Sequence, residues 1–312
     1  MNETAPALAP FWVRLAARLI QRLPAGRYRT MNWLCRHPSS AFLVQMPIAR
    51  GGYVFRCDLR DAIAREVCFT GCYEPQETAL VQALLKPGMT FVDVGANWGY
   101  FTLIGAHLVG AYGRVISLEP EPRLFKLLSE NLTRNALHQV TALQVAAADK
   151  PGMLTLEGYD ERDGNFGVSR IVGNFPEVKH ALPVMAQTLD DLFDQLGLRA
   201  IDLLKMDIEG AEGLALTGLG RSLAERRAKR LLLELHPSRL AEHGNSCSEV
   251  LDRLRDAGYR VWVVDHSHAS SRRAAYTARL DPRSLLYPLE QVTGLDDWPH
   301  VLCTAPGLEP LP

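Results

Sequence analysis

From Thr90 onward, short apolar runs with little alternation recur between stretches of helical periodicity. The runs begin at Thr90 (TFVDVG), Arg114 (RVISLE), Val140 (VTALQV), Ile201 (IDLLKMD), Arg230 (RLLLELH) and Tyr259 (YRVWVV). Strands buried on both faces read this way. Helical patterns at 100–109, 122–135, 211–228 and 248–257 fall between them, and such alternation calls for a parallel sheet. A further helix over 77–85 stops at Lys86-Pro87-Gly88, and the last apolar piece, HVLCT from His300, is expected at the edge of the sheet.

Two regions break the rhythm. About fifty-five residues separate the third and fourth strands, with a MLTLEG piece that suggests a hairpin and the polar, glycine-rich GYDERDGNFGVSR, a candidate lid. The front of the chain differs again. In FWVRLAARLIQRL, Arg14, Arg18 and Arg22 recur every four residues with Trp12, Leu15, Ala16, Leu19 and Ile20 on the other side, an amphipathic helix that stops near Pro24 and Gly26. Residues 41–72 are irregular, with strand-like AFLVQ and YVFRC. The chain therefore divides into an accessory segment, 1–73, and a main domain, 74–312.

Charge adds a local feature only. The net charge is -1, so no global field gathers nucleic acid. Residues 1–36 nevertheless hold six arginines against Glu3. A basic amphipathic helix at 11–23 can make peripheral contact with an anionic membrane or pack on its own protein. No secretory pattern precedes the six cysteines, and a reduced, cytoplasmic setting follows, which includes the inner membrane surface if that helix docks there. Cys68 and Cys72 have the spacing of half a zinc site without a second pair, and read otherwise as buried apolar side chains. Nothing sets the oligomeric state.

The chemistry starts at the first strand's end. A dinucleotide fingerprint wants G-x-G-x-x-G, whereas Asp93 to Gly99 runs D-V-G-A-N-W-G, with Asn97 where the second glycine would stand. An acid there is a poor neighbour for phosphate and a good one for an ammonium group. Glu119, at the next strand's end, can take both hydroxyls of a ribose. S-adenosylmethionine meets both demands. Its amino-acid end would lie over Asp93, Gly95, Ala96, Asn97 and Gly99, with Tyr100 and Phe101 opening the next helix; its ribose would lie on Glu119 and its adenine near the loop after the third strand, Ala147, Ala148 and Asp149. Glycines kept only for helix packing would explain Gly95 and Gly99 but not the two acids. A nicotinamide-dependent oxidoreductase and a non-catalytic binding or membrane-docking module are the rival readings.

VDVGANWGYFT, SLEPEPRLFKLLSENLTRN, LLKMDIEGAE and LLLELHP, in that order across 74–264, resemble the FkbM family of S-adenosylmethionine-dependent methyltransferases. The resemblance implies an α/β, Rossmann-like class I methyltransferase sheet, mostly parallel, with helices on both faces. It also implies O-methylation of a hydroxyl on a saccharide or natural-product-like small molecule or glycan.

In such sheets the ligand lies outside the carboxyl ends of the strands. Lys205, Asp207 and Glu209, with Glu234 and His236, stand there. Methyl transfer from a sulfonium mainly needs alignment, and a base for the acceptor hydroxyl comes second. His236 is the first choice of base, being neutral near pH 7 if unperturbed. Asp207 and Glu209 orient acceptor or cofactor, Asp207 being counted with the cofactor set too, and Lys205 is their charge partner. Glu212 caps the helix after Gly210. Asp207, Glu234 and His236 are also a set that can hold a divalent metal, an alternative to neutralisation by Lys205 that stays open. Upstream, Glu74 and Glu77 are placed to fold over the cofactor's amino group, to line the acceptor pocket, or simply to charge a helix start.

Overall fold

The computed structural model describes residues 7–35, 41–158, 169–172, 180–276, 280–291, 295 and 297–312. Fourteen strands are seen: β1 Phe42–Gln45, β2 Val54–Cys57, β3 Thr90–Val94, β4 Arg114–Leu118, β5 Val140–Leu143, β6 Ala146–Ala147, β7 Gly152–Glu157, β8 Arg170–Val172, β9 Ala181–Gln187, β10 Leu203–Met206, β11 Arg230–Glu234, β12 Arg260–Val264, β13 Leu286–Pro288 and β14 His300–Thr304. The helices are α1 Phe11–Arg22, α2 Arg27–Leu34, α3 Ala62–Thr70, α4 Pro75–Leu84, α5 Tyr100–Val109, α6 Pro122–Arg134, α7 Leu189–Gln195, α8 Glu212–Thr217, α9 Gly220–Ala224, α10 Pro237–Glu242, α11 Cys247–Asp256 and α12 His268–Tyr276.

Eight strands form the main sheet in the order β13-β12-β14-β11-β10-β3-β4-β5. From β11 to β5 every neighbour is parallel, as the apolar runs predict. β14 departs from expectation. It does not close the edge but runs antiparallel between β11 and β12. Its run, His300 to Thr304, is wholly buried, which an interior strand requires and an edge strand does not.

Two apolar layers cover the sheet, and period 2 decides which residue enters which. Phe91, Leu203, Leu232 and Leu302 pack with α5, α6 and the N-terminal elements. Val92, Leu204, Leu231, Leu233, Val301 and Cys303 pack with α7, α8, α9 and α11. The N-terminal segment shares the first layer: Val13, Ile20, Phe55 and Phe69 join the cluster that holds Leu103 and Leu128. The helix expected over 211–228 is broken into α8 and α9; α8 ends at Gly218, which lies against the Ala148 carbonyl where a Cβ would collide. A second sheet, β6-β9-β7-β8, absorbs the MLTLEG piece; β9, α3, α7 and α12 are not among the elements expected from the sequence. Of the candidate lid, residues 159–168 lie outside the described residues.

Gly95 joins the strand ends. At φ +85° it places no side chain toward β10, and a Cβ there would strike the carbonyl oxygen of Asp207. Alanine at this position takes on left-handed strain of about 1–2 kcal/mol and a backbone collision besides. Gly95→Ala is expected to lower unfolding stability by more than about 2 kcal/mol in urea titration; a smaller loss would mean that the β3 and β10 ends are not this close.

Candidate active site

The same period explains why charges gather at one end of the first layer. Phe91 is followed two residues on by Asp93, Leu203 by Lys205 and Leu232 by Glu234, while β14, running the other way, leads from His300 to Leu302. Register then sets them side by side, Asp93 opposite Lys205 and Glu234 opposite His300. One side of the sheet is thus apolar along its length and ionic at its carboxyl tip.

A cleft runs over this tip. Gly95–Trp98, Tyr100 and Phe101 line one wall, Glu119 and Pro120 another, and Lys205 and Asp207–Glu209 the floor end. Leu124, Val145, Leu156 and Ile171 make an apolar end, partly from the second sheet, which the sequence reading did not place. Ser169 lines it as well, and its buried hydroxyl has no hydrogen-bond partner among the described residues.

The glycine turn keeps its amides to itself. Gly95 and Ala96 N–H both donate to the Leu118 carbonyl at 2.9 Å, and Gly99 N–H donates to Ala96 O at 2.8 Å. Asn97, held at φ +52°, donates its N–H to Glu119 Oε2 at 2.8 Å, and its own side-chain oxygen accepts from Trp98 N–H at 2.7 Å. A pyrophosphate needs free, converging N–H groups. This turn offers none over Gly95–Gly99.

Glu119 accepts a second amide, Glu121 N–H, at 2.9 Å. Burial pushes its carboxyl up to about 8, against the lowering effect of these two hydrogen bonds. Each of its oxygens accepts one amide, and the residue lines the cleft. Asp93 differs from expectation. It is not part of the cleft lining; it is 1% exposed, Oδ2 accepts from Thr102 Oγ1 at 2.6 Å, and Thr102 in turn meets Ser117. That bond ties α5 to β3, and Oδ1 is left without a partner. Ala148 and Asp149 also lie off the cleft. Ala148 spends its N–H on Gln187 O to join the second sheet, and Asp149 is exposed, so of the three residues expected there only Ala147 lines the wall, together with Val145 and Ala146.

Lys205 is the central cation. Its Nζ stands 3.5 Å from Asp207 Oδ2 and 4.6 Å from the centre of the Phe101 ring. Burial alone would favour the neutral amine, but Asp207, Glu74, Asp93 and Glu234 hold its pKa above the ordinary lysine value. Asp207 is raised by burial and by Glu234, with Lys205 opposing. Glu74 begins α4 at φ +43°, a backbone conformation that costs a non-glycine residue; burial raises its carboxyl far above the ordinary range, and Oε2 lacks a partner.

His236 cannot serve as the neutral base expected of it. Nδ1 meets Glu212 Oε1 at 3.1 Å, and Nε2 stands 3.2 Å from Glu209 and 3.5 Å from Glu234. Burial pulls the imidazole down, yet the bonds to Glu212 and Glu234 and the charge of Asp207 outweigh it, and the pKa is pushed up to about 10. The ring is a buried imidazolium that clamps three acids. The sequence could not show this, because only folding brings Glu209 and Glu212 around it. Glu212 does not cap α8; it accepts Gly210 N–H and His236 instead, while Glu209, at φ +56°, pairs with Arg239.

Glu77 forms the next link. It is 1% exposed, and one oxygen takes His266 Nε2 at 2.6 Å and His300 Nδ1 at 2.9 Å. Burial would raise its carboxyl, but the two histidines hold it well below the usual range. It locks α4 to the sheet rather than facing a ligand. Asp207, Glu209 and His236, and separately Glu74, Asp207 and Glu234, bring ligand atoms within 4.8 Å of one another. A divalent ion would hold such groups, but here Lys205, His236 and Arg239 supply cations from the chain itself. Cys68 is buried in the apolar layer and Cys72 lies 3.7 Å from the Tyr100 hydroxyl.

Residues 93–261, more than half of the chain, match the family described as the methyltransferase FkbM domain. The chain is 26% identical over 204 residues to the 31-O-demethyl-FK506 methyltransferase FkbM of Streptomyces tacrolimicus, covering 57% of this chain and 75% of that one. It is 27% identical over 160 residues to the 2-O-methyltransferase NoeI of Sinorhizobium fredii, covering 47% and 64%. It is 29% identical over 212 residues to the AMB antimetabolite synthetase AmbE of Pseudomonas aeruginosa, where the match takes in 58% of this chain but a tenth of that protein's length. Among solved structures it is similar to the methyltransferase FkbM from Methylobacillus flagellatus, at 18% identity and a TM-score of 0.40, covering 77% of this chain and 52% of that one. With the four sequence blocks gathered along one sheet and the family match covering more than half of the chain, the chain belongs to the FkbM family of methyltransferases.

Proposed function

We propose that this chain transfers a methyl group from S-adenosylmethionine to a hydroxyl of a saccharide or natural-product-like acceptor. One observation carries the reading: the cleft offers carboxylates and a turn without free amides, a lining suited to a cationic nucleoside and unsuited to a pyrophosphate. The relatives' names, a demethyl-FK506 methyltransferase and a 2-O-methyltransferase, favour a hydroxyl acceptor.

In this reading the ribose hydroxyls donate to Glu119, and the purine rests against Leu124, Val145, Leu156 and Ile171, with Ser169 as a polar contact. The amino-acid end lies along Gly95–Trp98, Tyr100 and Phe101. The orphaned Oδ1 of Asp93 lies beneath this end, in reach of an ammonium only through movement of the turn.

The base passes from His236 to Asp207. Asp207 faces the cleft, and burial together with the neighbouring Glu234 charge lifts its carboxyl above the ordinary value, which makes it a better proton acceptor. Lys205 keeps it oriented and returns charge balance as the proton arrives. The sulfonium loses its positive charge as the methyl leaves, so the surrounding carboxylates hold the reactants mainly by alignment.

Glu119→Ala is expected to weaken S-adenosylmethionine binding by about 10-fold, the value of the hydrogen bonds lost, as read by calorimetry. An analogue lacking the ribose 2′-hydroxyl should lose affinity on the parent chain but hardly at all on the variant; equal losses would refute the placement. Asp207→Asn should cut methyl transfer by about 10²- to 10⁴-fold while calorimetric cofactor binding persists. Undiminished transfer would remove the base.

The His236 pKa gives a pH signature. A histidine raised in the folded state adds stability in full below its unfolded value near 6.5, and that share is lost as pH climbs through about 10. Its NMR resonances should therefore hold their charged position across neutral pH and move only near pH 10. Titration near neutrality would restore it as a candidate base.

A further inference from the structure

α1 departs from the expected amphipathic helix in an informative way. The side turned to the protein is made of Val13, Ala16, Ala17 and Ile20, which are small or branched residues packed against α3 and the first apolar layer. The large side chains face water. Phe11 is 72% exposed, Trp12 48%, Leu15 45% and Leu19 56%. Phe11, Leu15 and Leu19 follow one another at four-residue spacing, so they form a single stripe along the outer face. Arg14, Arg18 and Arg22 repeat at the same spacing and flank that stripe, all exposed. None of the three has an ion pair or side-chain hydrogen bond among the described residues. The helix carries no acid, and Arg29 on α2 is exposed beside it, with Trp33 61% exposed on the same helix.

A helix that needed only to pack on its own protein would place its aromatics inward. Here the inward side is served by small residues and the bulky apolar ones stand in solvent between unpaired guanidinium groups. We propose that this face of α1 docks on an anionic lipid surface. Phe11, Trp12, Leu15 and Leu19 enter the boundary between headgroups and acyl chains, while Arg14, Arg18 and Arg22 pair with lipid phosphates. Charge complementarity selects this occupant over a second copy of the chain, because two such faces would bring six arginines together with no acid from either helix. The helix lies along the surface; no described helix is long and apolar enough to cross a membrane.

The docked position bears on the cleft. α1 packs against α3, and Ile63 of α3 lines the cleft wall, so one helix layer separates the lipid surface from the cofactor site. That layer is about 10 Å thick. The docking itself does not depend on the methyl-transfer reading.

Sedimentation of the full chain with phosphatidylglycerol-rich vesicles, compared with phosphatidylcholine vesicles, tests this. An arginine close to an anionic surface adds about fivefold in partitioning, so Arg14→Gln/Arg18→Gln/Arg22→Gln should lose about a hundredfold. Phe11→Ser/Leu15→Ser/Leu19→Ser should lose binding to both vesicle types. A cooperative thermal melt followed by circular dichroism for each variant reports that the fold is intact; were the serine variant to unfold, the arginine variant, altered only at exposed positions, still decides. Failure of the parent to sediment with anionic vesicles, or binding that survives the arginine replacements, overturns the proposal. So does a dimer, seen by light scattering, that the serine variant dissolves while vesicles bind neither form.

Discussion

Lys205 Nζ, almost wholly withdrawn from water, lies against Asp207 and the Phe101 ring, and the acids of β3, β10, β11 and α4 converge on it. An isolated ammonium could not be buried at such a place, and neither could four carboxylates. Each makes the other tolerable. The arrangement constrains its surroundings, since removing either partner leaves an uncompensated charge in the interior. The cleft floor, the entry of α4 and the tip of β11 are therefore coupled to one another through charge.

From Lys205 the ionic network continues sideways. Glu234 lies between His236 and His300, Glu77 receives His300 and His266, and His236 reaches Glu212 and Glu209, which holds Arg239. Successive strands contribute alternate signs, so the row is balanced without a long-range field. Asp207 and Glu209 stand out within it because, of the acids in the row, these two also line the cleft. A network rigid on one side and open on the other can orient a proton acceptor without letting it relax.

Much of this was legible before folding. Six strands and their order of appearance followed from unbroken apolar runs, and the strand-end acids followed from where those runs stop. Glu119, Lys205, Asp207 and Glu209 do reach one cleft, and the departure from a dinucleotide fingerprint at Asn97 matches a turn whose amides are already engaged. Less legible were the adenine-side residues. Ala147, Ala148 and Asp149 are expected in a loop after the third strand, but Ala148 donates to Gln187 O at the end of β9, a strand the sequence reading does not place.

The pattern of residues determined the class of fold, the side of the sheet that carries chemistry and the kinds of charge found there, because burial periodicity and strand-end position are local properties. Tertiary structure decided roles. The charged form of His236 is favoured only once Glu212, at the start of α8, and Glu209, in the loop before it, reach the ring; Asp93 braces α5 once Thr102 comes within reach; and α1 packs valine, isoleucine and alanine against the core with its aromatics outward. Each depends on distances between segments far apart in the chain, set by packing and register, which no local pattern contains.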